Sequence, residues 1–363
     1  MEQINEFLFL GDTHWGARGD NCIIMANQVR YYTEYLFPYI LKNGIKTVIQ
    51  FGDLMDKRKS TNHETLYTMR TVFLDFFEKN QITLIVLAGN HDQFYRESGQ
   101  ITTIEEFLRG YKYCIPVIKP ARINTGHGSK IDIIPWINDE NKLETANFIQ
   151  NSTSDYCIGH FEFSGFKFAK NGQVAEKGMG TALFKKYKHV YSGHFHTRST
   201  QGNITYIGTP YELTWSDYDD PKGVTIFNGK DGSTKFIENP LTLHNRIVYN
   251  DSVNDYSKHD FSDFAKFQGM LVEVHVNTRT KKKQFATFMK EVYNSNPANV
   301  EVVDNTNKVT YESDITVNAT TDTKTLLDNG VDSVQKQSTE LSKEKLQKIA
   351  DEIYSEAQNQ TGI

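Results

Sequence analysis

Short apolar runs rich in β-branched and aromatic residues recur through the first 230 residues: FLFL at 7–10, TVIQF at 47–51, ITLIVLA at 82–88, YCI at 156–158, HVYS at 189–192, ITYI at 204–207 and VTIF at 224–227. Runs of this composition predict strands. Between the first three, residues 22–43 and 63–79 carry apolar side chains at helical spacing, the second through Leu66, Met69, Val72 or Phe73, Phe76 and Phe77. A β-α-β-α-β start predicts an α/β sheet. The later strands follow one another more closely, which predicts a mixed sheet completing a sandwich flanked by helices.

A smaller β-α-β unit is predicted from residue 246 to 303, with GMLVEVHV at 269–276 and ANVEVVD at 298–304 as strands around a helix at 281–295. Residues 304–321 are polar and lack sustained periodicity, so they predict a linker. Beyond it, SKEKLQKIADEIYSEA at 342–357 places Leu346, Ile349, Ile353 and Ala357 on one helical face. The domain reading is therefore 1–245, 246–303 and 304–363.

The chain has 363 residues, 38% of them hydrophobic and 23% charged, which excludes disorder throughout. Its net charge of −5 is uneven: residues from 301 onward carry 12 acidic and 6 basic side chains, leaving the first 300 at +1. A near-neutral body has no global basic field, so any nucleic-acid affinity must come from local clusters. Three cysteines, Cys22, Cys114 and Cys157, form no C-x-x-C pair and fit a reducing compartment. No apolar run is long enough to span a bilayer, and the N-terminus meets an acid and a histidine too early for a secretory signal, so a cytoplasmic location without membrane attachment is expected.

Five predicted strands end in a glycine followed by metal-type ligands: Gly11-Asp12-Thr13-His14, Gly52-Asp53, Gly89-Asn90-His91-Asp92, Gly159-His160 and Gly193-His194-Phe195-His196. Sheets of this class bind ligands at strand carboxyl ends, where glycine lets the backbone turn tightly. Taken singly, each piece is as well explained by a turn or a helix cap. Five in series imply convergence. Carboxylate and amide oxygens mixed with imidazoles, without thiolate, suit a pair of first-row divalent ions, Mn²⁺ or Fe²⁺ with Zn²⁺ also compatible, and disfavour a calcium cage or an iron-sulfur cluster.

These motifs, G-D-x-H, G-D, G-N-H-[DE], G-H and G-H-x-H in that order over residues 11–196, resemble the calcineurin-like metallophosphoesterase superfamily. Within it the chain resembles the nuclease subunits of SbcCD-type repair complexes, and most of all the shorter T-even-type phage recombination endonuclease subunits. That resemblance is carried by IDIIPW at 131–136, GHFEFSGF at 159–166 and YIGTPYELTWSDYDDPKG at 206–223. It implies a metallophosphoesterase sandwich at 1–245, a DNA-facing cap at 246–303 and an ATPase-docking tail at 304–363. The implied activity is metal-dependent 3′-5′ exonuclease and endonuclease cleavage of DNA in recombination and double-strand-break repair. The implied partners are DNA and an SbcC-like coiled-coil ATPase, the chain forming a homodimer within a heterotetramer.

Carried over residue by residue, the resemblance places Asp12, His14 and His196 on one ion, Asn90, His160 and His194 on the other, and Asp53 between them. Mn²⁺ is the first choice, with Mg²⁺, Fe²⁺ or Zn²⁺ as alternatives. His91 is implied as the acid for the leaving 3′ oxygen, with Asp92 orienting its ring. Cellular relatives read G-D-L-F-H where this chain reads Gly52-Asp53-Leu54-Met55-Asp56, so no histidine stands at position 56. Lys57, Arg58 and Lys59 follow as candidate contacts to the DNA backbone, and Leu346, Ile349 and Ile353 as the partner-binding face. Two other readings compete: a phosphomonoesterase or protein phosphatase of the same superfamily, and a non-catalytic scaffold for a partner ATPase.

Overall fold

The computed structural model of the chain describes residues 6–167, 172–306, 346–348 and 351. The chain divides into two compact units, Met1–Thr306 and Asn307–Ile363. In the first, strands β1 (Glu6–Leu10), β2 (Thr47–Gln50), β3 (Thr83–Leu87) and β4 (Cys114–Val117) run parallel. Strands β5 (Ala121–Asn124), β6 (Lys130–Ile134), β7 (Tyr156–His160), β8 (His189–Gly193), β9 (Ser199–Gln201) and β10 (Ile204–Tyr206) build a second sheet in the order β5-β6-β7-β8-β10-β9. Strands β11 (Gly223–Asn228) and β12 (Thr234–Glu238) then return to the first sheet antiparallel, giving the order β12-β11-β1-β2-β3-β4.

Period-two alternation packs the two sheets face to face. Phe7 and Phe9 of β1, with Ile49, Phe51, Ile85 and Leu87, turn towards the second sheet and meet Ile131, Ile133, Ile158 and Tyr191. Leu8 and Leu10, with Val48, Leu84 and Val86, turn the other way onto the helices. Those helices follow the apolar spacing of the sequence: Cys22–Tyr31 runs through a π-type segment, Tyr32–Leu36, into Phe37–Lys42. His63–Thr68, Met69–Leu74 and Asp75–Asn80 likewise follow without a break. Met69, Phe73 and Phe77 are fully buried, while Leu66, Val72 and Phe76 pack partly buried at the edge of the same core. Helices thus cover a mixed sheet sandwich, the expected class.

Strands β13 (His244–Asn250), β14 (Leu271–Thr278) and β15 (Asn299–Asp304) form a separate parallel sheet. Its own core joins Tyr249, Val272, Val274 and Val276 to Phe288 and Val292 of helix Lys282–Asn294. The Glu212 carboxylate ties the start of β13 to the sandwich by accepting from the Leu243 and His244 N–H groups, both at 2.7 Å. In the second unit residues 346–348 are helical and Leu346 is half-buried. Ile349 and Ile353 lie outside the described residues, as does most of the expected helix at 342–357.

Candidate metal centre

Strands β1, β2, β3, β7 and β8 deliver their carboxyl ends to one place. Hydrogen bonds lace the first two end loops together: the N–H groups of Thr13 and His14 donate to the Asp53 carbonyl at 3.2 and 3.0 Å, Trp15 N–H donates to Leu54 O, and Asp56 N–H donates to Trp15 O. The backbone bends sharply, with φ of 44° at His14, 52° at Asp53 and 84° at His194. Left-handed conformations at non-glycine residues are strained and persist only where surrounding contacts over-determine them. Two glycines clear space for carboxylates: a Cβ at Gly89 would overlap the Asp53 side chain, and one at Gly193 would stand 2.5 Å from Asp12 Oδ1.

Asp12, His14 and His196 form one cluster, and Asp53, His160 and His194 another, each able to hold a metal ion. His14 Nε2 and His196 Nε2 are 3.1 Å apart. Asn90 Oδ1 lies 2.9 Å from His160 Nε2 and 3.0 Å from His194 Nδ1. Asp53 Oδ2 sits between the clusters, 3.5 Å from His160 Nε2 and 3.7 Å from His14 Nε2. An ion roughly 2.1 Å from each ligand sets adjacent ligand atoms about 3 Å apart, and these spacings suit that arrangement.

The donor set makes the same point. His160 Nδ1 donates to the Phe51 carbonyl at 2.7 Å, so in the neutral ring Nε2 is a lone pair facing the lone pairs of Asn90 Oδ1. Two acceptors that close need a proton or a cation between them. Asp12 Oδ1 is buried and accepts no hydrogen bond, another acceptor without a donor.

Charge among these side chains is redistributed accordingly. Burial alone would depress the His160 and His14 imidazoles. For His160 the carboxylates of Asp53 and Asp12 outweigh it, and for His14 those of Asp56, Asp53 and Asp12 do, carrying each up to about 9. Burial pushes Asp12 up to about 7 against the opposing pull of His160. Burial would raise Asp53 too, but His160 and His14 hold it far below the usual carboxylate range. His194 and His196 are pushed down to about 3, first by burial and then by the neighbouring imidazoles His160 and His14 respectively.

His91 stands half-buried beside the clusters, its ring edge-on to His14 with centroids 5.1 Å apart. Its backbone N–H donates to Asp53 Oδ1 at 2.7 Å and its ring Nδ1 donates to the Asp56 carbonyl. Asp92 does not orient that ring, contrary to expectation. Its buried carboxylate accepts instead from the N–H groups of Gly89 at 2.8 Å and Leu54 at 3.0 Å, so it ties the β2 and β3 loops together. The basic run also differs from a row of free cations. Lys57 Nζ pairs with Asp20 at 2.6 Å, and Lys59 lies over the Phe94 ring. Arg58 is half-buried and its guanidinium is depressed by that burial and by Arg96.

Several residues that support the centre were given no role from sequence, although Trp136 and Lys222 lie within the runs that carry the resemblance. The Trp136 ring packs against His160 and His194, with centroids 5.9 and 5.3 Å away. Gln50, wholly buried, donates to Gly52 O and accepts from Gly52 N–H; a lone amide inside the apolar run TVIQF was its signal. Buried Lys222 donates to the His196 carbonyl at 2.8 Å and pairs with Asp217 at 2.7 Å and Asp220 at 2.8 Å. A groove of about 980 Å³ is lined by His194 and His196 together with Glu162, Glu176, Thr214 and Ser216, room for a substrate larger than a small ester.

A sandwich with acidic and imidazole ligands at five strand ends defines a class, and comparison agrees: the chain belongs to the calcineurin-like phosphoesterase family, which matches residues 6–198. Among individual proteins it is similar to exonuclease subunit 1 of Enterobacteria phage T4, with 32% identity over 352 residues, covering 97% of this chain and 99% of that protein. The family and this relative support a phosphodiesterase of nuclease type. None of the described helices is long and apolar enough to cross a membrane.

Proposed function

We propose that the chain is the nuclease subunit of a DNA-processing complex, a two-metal 3′-5′ exonuclease and endonuclease acting in recombination and double-strand-break repair in the host cytoplasm. The observation that carries this reading is the pair of ligand clusters sharing Asp53, in a chain similar along nearly its whole length to an exonuclease subunit. In this reading Asp12, His14 and His196 hold one ion and Asn90, His160 and His194 the other, with Asp53 contacting both. Mn²⁺ fits this mixed oxygen and nitrogen donor set. Such ions supply Lewis acidity towards the phosphodiester and towards attacking water.

The chain's own residues supply the rest. The carbonyl of Phe51 orients His160, and the Asp12 carboxylate orients the His194 backbone by accepting its N–H at 2.9 Å. His91 keeps Nδ1–H on the Asp56 carbonyl, so in its imidazolium form the second proton sits on Nε2 and is the one given to the leaving 3′ oxygen, leaving the neutral ring. Arg58 and Lys59 contact the DNA backbone, while Lys57 anchors their loop through Asp20. The charge step after residue 300 and the stripe of Leu346, Ile349 and Ile353 support a tail that docks on an SbcC-like coiled-coil ATPase, two copies of the chain completing a heterotetramer.

The test is hydrolysis of end-labelled duplex DNA by the purified chain with Mn²⁺, set against hydrolysis of a chromogenic phosphomonoester, for wild type, Asp53→Ala and His194→Ala. DNA cleavage abolished by chelator and by either substitution is expected. Monoester turnover without DNA cleavage would show a phosphatase, and neither activity would show a scaffold.

A further inference from the structure

The side chain of Asp56 lies outside the ligand set, yet it stands against it. Its Oδ1 is 3.3 Å from Nδ1 of His14, and its backbone carbonyl holds the ring of His91. The position is fixed from both sides. Asp56 N–H donates to Trp15 O at 3.0 Å, Met55 pairs with Trp15 as a parallel bridge, and the Trp15 side chain is fully buried. These contacts pin the Asp56 backbone beside Trp15, the residue that follows His14.

His14, Asp56 and His91 also satisfy the spacing of a third cation site, and the chemistry of imidazole decides between the two roles. His14 Nε2 faces His196 Nε2 and Asp53, the side on which the first ion is assigned. An imidazole that gives its Nε2 lone pair to a metal keeps its proton on Nδ1, so Nδ1 has no lone pair for a second cation. That proton needs an acceptor in a pocket where His14 is almost wholly buried. His14 Nδ1 is buried and makes no hydrogen bond as it stands, and Asp56 Oδ1 at 3.3 Å is a carboxylate oxygen within reach of it.

We infer that Asp56 is a positioning residue: its carboxylate accepts the Nδ1–H of His14, fixing the tautomer and ring angle that direct Nε2 to the metal. Carboxylate partners of metal-bound histidines typically contribute 10- to 100-fold to metal affinity. One residue thus sets two neighbours by separate atoms, His14 through the carboxylate and His91 through the main-chain carbonyl. Substituting the side chain leaves the second contact in place.

This inference rests on the two-metal reading above, and the experiment separates their failures. Mn²⁺ is titrated calorimetrically into full-length, ion-free wild type, Asp56→Asn and Asp56→Glu, with melting of the ion-free proteins as the control for folding. The wild type should bind two equivalents. In Asp56→Asn one of the two should weaken about 10- to 100-fold with the other unchanged, and Asp56→Glu should recover part of the loss. Unchanged affinities in Asp56→Asn would overturn the inference, as would a third Mn²⁺ equivalent in wild type that Asp56→Asn loses. Should Asp56→Asn fail to fold, ¹⁵N spectra of the Zn²⁺-loaded wild type decide: Nδ1–H at His14 supports the role and Nε2–H overturns it. A wild type that binds two Mn²⁺ but leaves DNA intact would sink the nuclease reading alone.

Discussion

Lys222 offers the sharpest test of how the loops of the candidate metal centre are held. Its ammonium is almost wholly buried between Asp217 and Asp220, and it donates to the carbonyl of His196. Replacing Lys222 with methionine keeps the apolar stem but leaves two carboxylates without their cation, and Asp217 is itself only 2% exposed. Removing one partner of a buried ion pair costs about 3–5 kcal/mol, most of it from the stranded charge. At about 2 °C per kcal/mol for a unit of this size, the melting temperature should fall by roughly 6–10 °C. Adding Asp217→Asn should restore at least half of that loss, because it removes a stranded charge while an amide oxygen can still accept from the Leu213 and Thr214 N–H groups. The assay is calorimetric melting of wild type, both single variants and the double variant in chelator, repeated with Mn²⁺. Equal melting of Lys222→Met and wild type, or strictly additive losses in the double variant, would refute the reasoning.

His91→Ala should retain both metal equivalents by elemental analysis yet lose roughly 10²-fold or more in DNA turnover; loss of metal instead would make His91 a ligand. Deleting residues 322–363 should leave Mn²⁺ binding and isolated nuclease activity intact and abolish co-purification with a coiled-coil ATPase, and unchanged co-purification would place docking elsewhere. Burial alone would raise the Asp132 carboxyl, but Arg122, Ser152, Ser154 and Tyr187 hold it below the usual value. A carboxyl depressed on folding stabilises the fold above its unfolded pKa of about 4, and that contribution is lost as pH falls towards the folded value. Asp132→Asn should therefore cost about 1–3 kcal/mol at pH 7, measured by urea denaturation, with the gap from wild type closing towards pH 3; an undiminished gap would refute the assignment.

The parallel strands β1, β2 and β3 were legible because burial on both faces leaves near-continuous apolar runs, each closed by a glycine. Strand β12, TKFIE, was not: it lies at a sheet edge with mostly half-exposed or exposed residues and carries no comparable run. β5 is similar, alternating half-buried and exposed. The side chains that meet in the candidate metal centre could be named from sequence because each stands at or just after a glycine that closes an apolar run. Their supports could not. Lys222 follows two aspartates and a proline, a composition that reads as a solvated turn, and only the tertiary fold shows it buried under His196. The role expected of Asp92 came from the resemblance alone, and the backbone turns its carboxylate towards Leu54 and Gly89.

The continuity of β1 with Asp12 makes strand pairing a gauge for the chemistry. A slip of one residue against β2 would move Asp12 by about 3.3 Å and exchange the faces of Phe9 and Leu10. The same error would spoil the interior and scatter the acidic cluster. Divalent ions that bind only the assembled cluster would then act as proofreaders of folding, adding about 2.7 kcal/mol to the correctly paired state at a hundredfold excess over their dissociation constant and nothing to a slipped one.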